Sequence, residues 1–362
     1  YRLPSGRLPV CTLGIEIQNV RRTTLERVIR HRVLADRRVE LRTGFVVDGL
    51  ELDEAGRTVI GVAGRRRDTA GPTGPSREPG LRERISADLV VDASGQAANL
   101  SRWLAETGWE RPELLEVDGR VTYVSRFYRL PAGHTFDWYG VGSITYAPHI
   151  NRGGGVFMTD GDCLLVTLIG AGGEVPPTDE AGFLAYATSL DMAEISAVIT
   201  AGTPLTPAYR YARMSNRWNC YHRLRHWPQR LIAMGDAVCV FNPLYGQGLT
   251  IAAQEAQLLG EMLEDTRTLT GLAPRFQRRV GSLIRLPWTL ATSSDLFWDP
   301  APPGRSARLT RWYLNHLLDL LPTDPDVATR FLRVQNMISK PTVLATPRVI
   351  TKVLRQSRAT PP

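Results

Sequence analysis

Arg230-Leu231-Ile232-Ala233-Met234-Gly235-Asp236-Ala237-Val238-Cys239-Val240-Phe241-Asn242-Pro243-Leu244-Tyr245-Gly246-Gln247-Gly248-Leu249-Thr250 is the stretch that decides how the rest of the chain is read. Leu231 to Met234 is a short apolar run that stops at Gly-Asp, the pattern of a buried parallel strand. Pro243, Gly246 and Gly248 predict a tight loop. From Leu249 the spacing turns helical, with Leu249, Ala252, Ala253, Ala256, Leu259 and Leu263 predicted to share one face. Strand, Gly-rich loop and helix in that order bring backbone N–H groups and a helix N-terminus to one point, where an anionic or electron-rich ligand is stabilised. Asp236, at the C-terminal end of the strand, is an acceptor suited to a sugar-like hydroxyl.

Gly235-Asp236-Ala237 followed by Pro243-x-x-Gly246-x-Gly248 resembles the second flavin-contact motif of the group A FAD-dependent monooxygenases. That group includes p-hydroxybenzoate hydroxylase, squalene epoxidase and, nearest in wording, the bacterial polyether-type epoxidases. The resemblance implies that Asp236 binds the ribityl chain and that Gly235 and the loop Pro243, Gly246, Gln247, Gly248 and Leu249 lie against the flavin. It also implies that Arg22, just ahead of Leu25-Glu26, lies near the flavin; a solvated or salt-bridged arginine is the alternative reading. A Gly-rich strand–helix loop in another doubly wound protein is the competing reading of the main motif.

The composition bounds the answer. At 362 residues the chain is long enough for two domains or one large one. With 43% hydrophobic and 22% charged residues it belongs with ordinary globular proteins, and no run approaches a membrane span. The net charge of +8 comes almost wholly from scattered arginines, since Lys340 and Lys352 are the only lysines. No basic stripe interleaved with aromatics occurs, which argues against nucleic-acid binding. Cys11, Cys163, Cys220 and Cys239 have no paired spacing, so neither a disulfide framework nor a zinc site is expected, and a cytoplasmic, reducing compartment is. His222 and His226 lack a nearby carboxylate and do not read as a metal pair.

In chain order, Tyr1 to Gln18 reads as loop or short strands. A helix follows, with Thr23 and Glu26 at capping-box spacing and Leu25, Val28, Ile29 and Val33 on one face. Arg38 to Arg42 reads as a strand. Gly44 to Leu52 and Arg57 to Arg66 read as a hairpin, Asp68 to Gly80 as a loop, and Leu81 to Ala87 as a third strand. Val90-Val91-Asp92-Ala93-Ser94-Gly95 resembles the family's strand that returns to the nucleotide sheet, although Gln96, Ala97 and Ala98 stand where Arg, Gly and Ser are common. Leu100 to Glu106 is predicted helical with Trp103 and Leu104 inward. Val121 to Leu130, Gly155 to Met158 and Cys163 to Ile169 are predicted strands, the last two joined at Asp160-Gly161-Asp162. Thr178 is expected to cap a helix to Leu190, and helical character returns from Ile195 to Gly202. Beyond Asp265 the chain reads as helices interrupted at Pro287, 299–304, Pro322, Pro325, Pro341 and Pro347.

A flavoprotein of this class also uses a first βαβ unit whose G-x-G-x-x-G turn takes the pyrophosphate. No such turn occurs in this sequence, so the expected fold is the α/β, Rossmann-like FAD/NAD(P)-binding fold without its first βαβ unit, with a mixed β-sheet substrate domain and a helical C-terminus. The expected parts are a partial FAD-binding domain at 1–110, a substrate domain at 111–229, the second flavin motif at 230–265 and a helical region at 266–362. The resemblance implies oxygenation by FAD, O2 and NAD(P)H. The abundance of Tyr123, Phe127, Tyr128, Phe157, Met158, Leu164, Val166 and Leu168 in the substrate-domain strands suggests a lipophilic substrate. Trp288, Leu290, Leu296 and Phe297 are candidates to roof the same cavity, and Arg126 or Arg210 to hold a substrate carboxylate; the alternative reading is that all these apolar residues simply fill core. Two other readings stand beside this one: an isoprenoid-type flavin reductase or dehydrogenase, and a truncated, inactive binding module. Without the pyrophosphate turn, weak or no FAD binding is expected of the chain as written. No general acid or base is assigned, because the cofactor supplies the chemistry.

Overall fold

A computed structural model describes residues 1–66, 82–212, 214–298 and 304–359. The loop expected at Asp68 to Gly80 and the break at 299–303 lie outside the described residues. The chain divides into two compact units, each discontinuous in sequence. One gathers Tyr1–Arg27, Asp118–Met214 and Thr292–Pro362; the other gathers Val28–Val117 and Ser215–Ala291. The segment expected to open the nucleotide domain thus begins in the first unit, and the C-terminal third is shared between the two.

The first unit is built on an eight-stranded mixed sheet. Thr122–Arg129, Cys163–Gly170, Arg152–Thr159 and Gly140–Ser143 run antiparallel in that spatial order. Arg2–Leu3 adds a parallel partner beside Ser143, and Thr203–Pro204 and Tyr209–Tyr211 extend the other side. Asp160-Gly161-Asp162 does make the hairpin turn: Thr159 faces Cys163, and Asp162 takes φ +52. The helices Glu180–Thr188 and Ala193–Ala201 cover one face of the sheet. Val124, Tyr128, Val156, Leu164, Val166 and Leu168 interlock there with Phe183, Tyr186, Ile195 and Val198. Asp179, not Thr178, caps the first of these helices, accepting the Gly182 N–H at 2.8 Å. Asp179 sits one residue closer to the open amides than Thr178 and wins the cap.

The second unit carries an antiparallel three-stranded sheet, Phe45–Leu52, Val59–Arg66 and Arg82–Ser86, as the hairpin pattern predicts. Its centre is a two-stranded parallel sheet of Val90–Asp92 and Leu231–Ala233, in register Leu231 to Val90 through Ala233 to Asp92. A third small sheet joins Leu114–Val117, Asn216–Asn219 and Cys239–Val240. Leu100–Glu106 is helical with Leu100, Trp103 and Leu104 buried, as expected.

Three further local expectations fail for identifiable reasons. Arg38 to Arg42 forms no strand, because it meets no neighbouring strand among the described residues to complete a ladder. Pro287 does not interrupt its helix, which runs unbroken over Leu272–Asp295. An interior proline costs about 3 kcal/mol, but this helix buries Phe276, Val280, Ile284 and Ala291, and that packing outweighs the lost hydrogen bond. The capping box at Thr23 is not formed either: the helix begins at Arg22 and spans Arg22–Leu34, and Glu26 pairs with Arg22 instead.

Candidate functional site

The site is assembled where the two parallel strands of the second unit end together. Each strand stops in a left-handed glycine, Gly95 at φ +78 and Gly235 at φ +64, and each glycine opens a single 3-10 turn. A side chain at either position would be strained, which is why Gly-Asp and Ser-Gly mark these strand ends in the sequence. The two turns pack against each other. In open α/β sheets this C-terminal edge is where ligands bind.

Asp236 follows Gly235 and is exposed at the strand end. A methyl group on Gly248 would lie 3.9 Å from its Oδ1, so the carboxylate faces the start of the next helix. Between them the loop is pinned from below. Asn242 is fully buried; its N–H donates to Asn216 Oδ1 at 2.8 Å, and its own Oδ1 accepts the Leu244 N–H at 3.1 Å. Pro243–Tyr245 makes a 3-10 turn that Gly246 ends at φ +65. Nothing lies within 4 Å of where a Gly246 side chain would begin.

The helix Gly248–Glu264 then starts with no side-chain cap and no acidic residue in its first turn. The opening N–H groups of a helix have no partner within it and are suited to a ligand's acceptors. Gln247, at the cap position, is buried, and its Oε1 has no partner among the described residues. Leu249 is 63% exposed. The loop residues expected to meet the ligand, Gly235, Asp236, Pro243, Gly246, Gln247, Gly248 and Leu249, therefore come together within one unit.

The buried face of this helix differs from the predicted stripe. It consists of Ile251, Glu255, Leu258 and Met262, while Leu249 and Leu263 are exposed. Alanines at 252, 253 and 256 fit either side of a helix, so they gave the apolar pattern no direction. Glu255 was missed because a charged residue counts against a buried face. It is fully buried, and its Oε2 accepts the Gly235 N–H at 2.5 Å. Burial, with the Asp236 charge beside it, pushes its carboxyl up to about 7 against the opposing Gly235 hydrogen bond. Cys239 is buried in the same neighbourhood; desolvation first, then Glu255 and Asp236, hold its thiol well above its ordinary value, so it is not a nucleophile.

Arg22 lies in the other unit, exposed, with Nε 2.7 Å from Glu26 one helical turn on. Its neighbour Arg21 makes the buried-side contact: Nε and Nη2 reach Asp160 Oδ2 at 3.1 and 2.8 Å. The eight apolar substrate-domain residues also divide. Tyr128, Leu164, Val166 and Leu168 fill the core beneath the helices, and Met158 packs against it. Tyr123, Phe127 and Phe157 are on the opposite face, where the register aligns Phe127 with Leu165 and Phe157, and Tyr209 with Ser125 and Thr167. Ser125 and Thr167 hydroxyls pair at 2.8 Å in the middle of that face. The proposed roof residues take separate neighbours: Trp288 packs 5.5 Å from Trp218, whereas Phe297 lies 4.1 Å beneath Arg311. Arg126 is engaged by Glu180 and the Thr206 carbonyl. An open groove of about 500 Å³ runs between the two sheet-covering helices, but the hydroxyls of Ser196 and Thr200 in its wall bond to their own helix backbone. That groove offers little polar chemistry. Among the described residues no cluster of His, Cys, Asp and Glu could hold a metal, and no helix is long and apolar enough to cross a membrane.

Comparison with known proteins gives the fold its class. Three solved structures align over most of the chain. OxyS, the anhydrotetracycline hydroxylase of Streptomyces rimosus, matches with TM-score 0.54 at 17% identity, covering 89% of this chain and 57% of that one. A variant of HpxO from Klebsiella pneumoniae, complexed with FAD, matches with TM-score 0.58 at 15% identity, covering 89% and 74%. CmlS, a flavin-dependent halogenase, matches with TM-score 0.54 at 15% identity, covering 88% and 59%. The fold is that of the FAD-dependent hydroxylases and flavin-dependent halogenases, as the motif resemblance implies. Among curated proteins, Protein Rv3254 of Mycobacterium tuberculosis is 30% identical over 322 residues, covering 86% of this chain and 65% of that protein. The chain thus spans a little under two thirds of that relative's length. No protein-family model matches it.

Proposed function

We propose that this chain is the flavin-ring and substrate portion of an FAD-dependent monooxygenase that acts on a lipophilic small molecule. The observation that carries the proposal is the uncapped start of the Gly248–Glu264 helix facing the Asp236 carboxylate across an open glycine loop. The residues fit a flavin on their own chemistry. Asp236 is an acceptor for a ribityl hydroxyl; the amides of Gly248 and Leu249 are donors for the electron-rich pyrimidine edge of the ring; the unpartnered Oε1 of Gln247 is an acceptor for a ring N–H. When bound, the flavin would supply the redox chemistry, with O2 as oxidant and NAD(P)H as the proposed reductant. The protein's part is to hold the ring rigidly on a helix terminus, to favour developing negative charge there and to present a substrate face.

The face of the large sheet opposite its two helices supports the substrate reading. Phe127, Leu165 and Phe157 form an apolar row beside the Ser125–Thr167 hydroxyl pair. A lipophilic molecule with one polar group matches such a surface. A reductase or dehydrogenase on the same fold would share the flavin contacts and differ in consuming no O2. A reaction compartment inside the cytoplasm belongs to this proposal as well.

The test begins with binding. Titration of riboflavin, FMN and FAD against the chain, followed by flavin fluorescence, should give saturable binding. Because the residues named here hold the ring and ribityl end, FMN is expected to bind within about tenfold of FAD, a difference of about 1.4 kcal/mol. NADPH oxidation and O2 uptake by the flavin-loaded protein then separate monooxygenase from reductase. No saturable binding of any of the three flavins would overturn the proposal.

A further inference from the structure

We propose that Glu255 is a positioning residue for the ligand at the Gly235–Asp236 turn: its buried carboxyl holds the Gly235 N–H from beneath and so aims Asp236 at that ligand. The inference rests on the flavin reading only for the identity of the ligand.

The geometry belongs to the protein alone. Glu255 is fully buried on the Gly248–Glu264 helix, one face of which packs against the turn. The Gly235 N–H donates to its Oε2, while Oε1 is buried with no partner among the described residues. The backbone of the turn is thus tied to the helix that begins at the ligand side, and any shift of the Glu255 side chain is passed to the residue next to Gly235. That residue is Asp236.

The groups around Glu255 decide what its proton does. On the turn itself stands the Asp236 carboxylate, which acts on Glu255 directly. The strand Cys239–Val240 brings the Cys239 thiol, with Cys220 beyond it. The helix Leu272–Asp295 brings neutral Gln277, whose Nε2 donates to the Ala233 carbonyl at 3.0 Å. No cation is among the groups that act on Glu255. Desolvation and the neighbouring carboxylate both favour the neutral acid, and the carboxyl is pushed up to about 7. Below that pH the turn carries one negative charge, on Asp236. Above it two carboxylates share the turn, one of them buried, and their repulsion works against the aim of Asp236. A ligand that uses Asp236 as acceptor should therefore bind more tightly at pH 6 than at pH 8.5.

The experiment follows the Gly235 amide itself. Met234-Gly235 is the one Met-Gly pair in the sequence, so labelling methionine with carbonyl ¹³C and glycine with ¹⁵N singles out that amide by NMR in the full chain. In the wild type it is expected to shift with a midpoint near 7, and in Glu255→Gln to stay flat. Asp236→Asn, an exposed change, is expected to keep the titration and lower its midpoint. Flavin affinity, measured on the same samples, should fall about tenfold from pH 6 to 8.5 in the wild type, the consequence of a one-unit displacement of this pKa on binding, and should not vary in Glu255→Gln. A Gly235 amide that does not titrate, a titration that survives Glu255→Gln, one abolished by Asp236→Asn, or wild-type flavin binding indifferent to pH would each overturn the inference. If Glu255→Gln does not fold, the wild-type and Asp236→Asn titrations decide. If no flavin binds at any pH while the Gly235 amide titrates as expected, the cofactor reading falls and Glu255 remains the residue that sets the turn.

Discussion

Asp160 braces the start of the Arg22–Leu34 helix from outside it. Its carboxylate, on the turn between two strands of the large sheet, accepts the Arg21 N–H at 2.7 Å and the Thr24 hydroxyl at 2.7 Å, and pairs with the Arg21 guanidinium. The Arg21 side-chain hydrogen bond is the largest of the causes that hold Asp160 far below the ordinary carboxylate range. A depressed carboxylate contributes stability above its unfolded value, near 3.8, and loses it as pH falls through the folded one. Asp160→Asn should therefore lower the thermal midpoint at pH 7, and the gap from wild type should start to narrow below about pH 4 and shrink further toward the folded value. A gap of constant size from pH 7 to pH 3 would contradict this. Nothing near Thr23 in sequence announces Asp160, which lies more than a hundred residues away, so the capping box was the reasonable local reading and the wrong one. Asp236 is the opposite case, since its place follows from strand and glycine alone. With flavin bound, Asp236→Ala is expected to cost about 1–3 kcal/mol of affinity, the scale of one lost hydrogen-bonding group in a polar site. An unchanged dissociation constant in a titration would remove Asp236 from the site.

Elements show where periodicity carries information. The long strands of the large sheet were legible because Cys163–Gly170 is apolar throughout and bounded by turn residues. What alternation could not say is which face meets the helices. Leu168 faces the core and Phe157 faces away, so their truncations should part company. Leu168→Ala is expected to cost about 2–5 kcal/mol of stability. Phe157→Ala should cost less and instead weaken binding of a lipophilic substrate. Chemical denaturation of both variants checks the first statement, and equal losses would show the two faces to be equally packed. The Leu272–Asp295 helix offers a second test. A methyl on Gly281 would overlap the His222 ring, which is itself stacked 4.8 Å from Trp218 and has little room to move. Gly281→Ala should destabilise by about 1–3 kcal/mol as an overpacked core does, although alanine is the better helix former. A stabilised variant in the same denaturation assay would mean that the ring yields.

Over the whole molecule, the chain gathers into two units, each discontinuous in sequence. Chain order hides this because Arg2–Leu3 pairs with Gly140–Ser143 across more than a hundred residues, through hydrogen bonds that no side-chain pattern records. The substrate prediction belongs to this scale. With flavin and NADPH supplied, long or polycyclic apolar molecules should stimulate NADPH oxidation more than small phenolic acids, because the half-buried sheet face opposite the helices offers Phe127, Leu165 and Phe157 around one hydroxyl pair. Strong stimulation by small phenolic acids alone, seen across a panel of both kinds, would rule this out.

The sequence by itself determined the parts whose physics is local. A left-handed glycine after an apolar run can be read without neighbours, and so can a proline-and-glycine loop that opens a helix; together these put Asp236 at a strand end and the loop to Leu249 at a helix start. Only the tertiary structure decided Glu255, the rotation of its helix, the contacts of Asp160 and the division of the apolar residues between the two faces of the sheet. Each of these depends on what packs against a side chain. A buried carboxyl is tolerable only because a backbone amide from a distant strand end meets it, and a helical stripe of alanines acquires a direction only when something is pressed against one side.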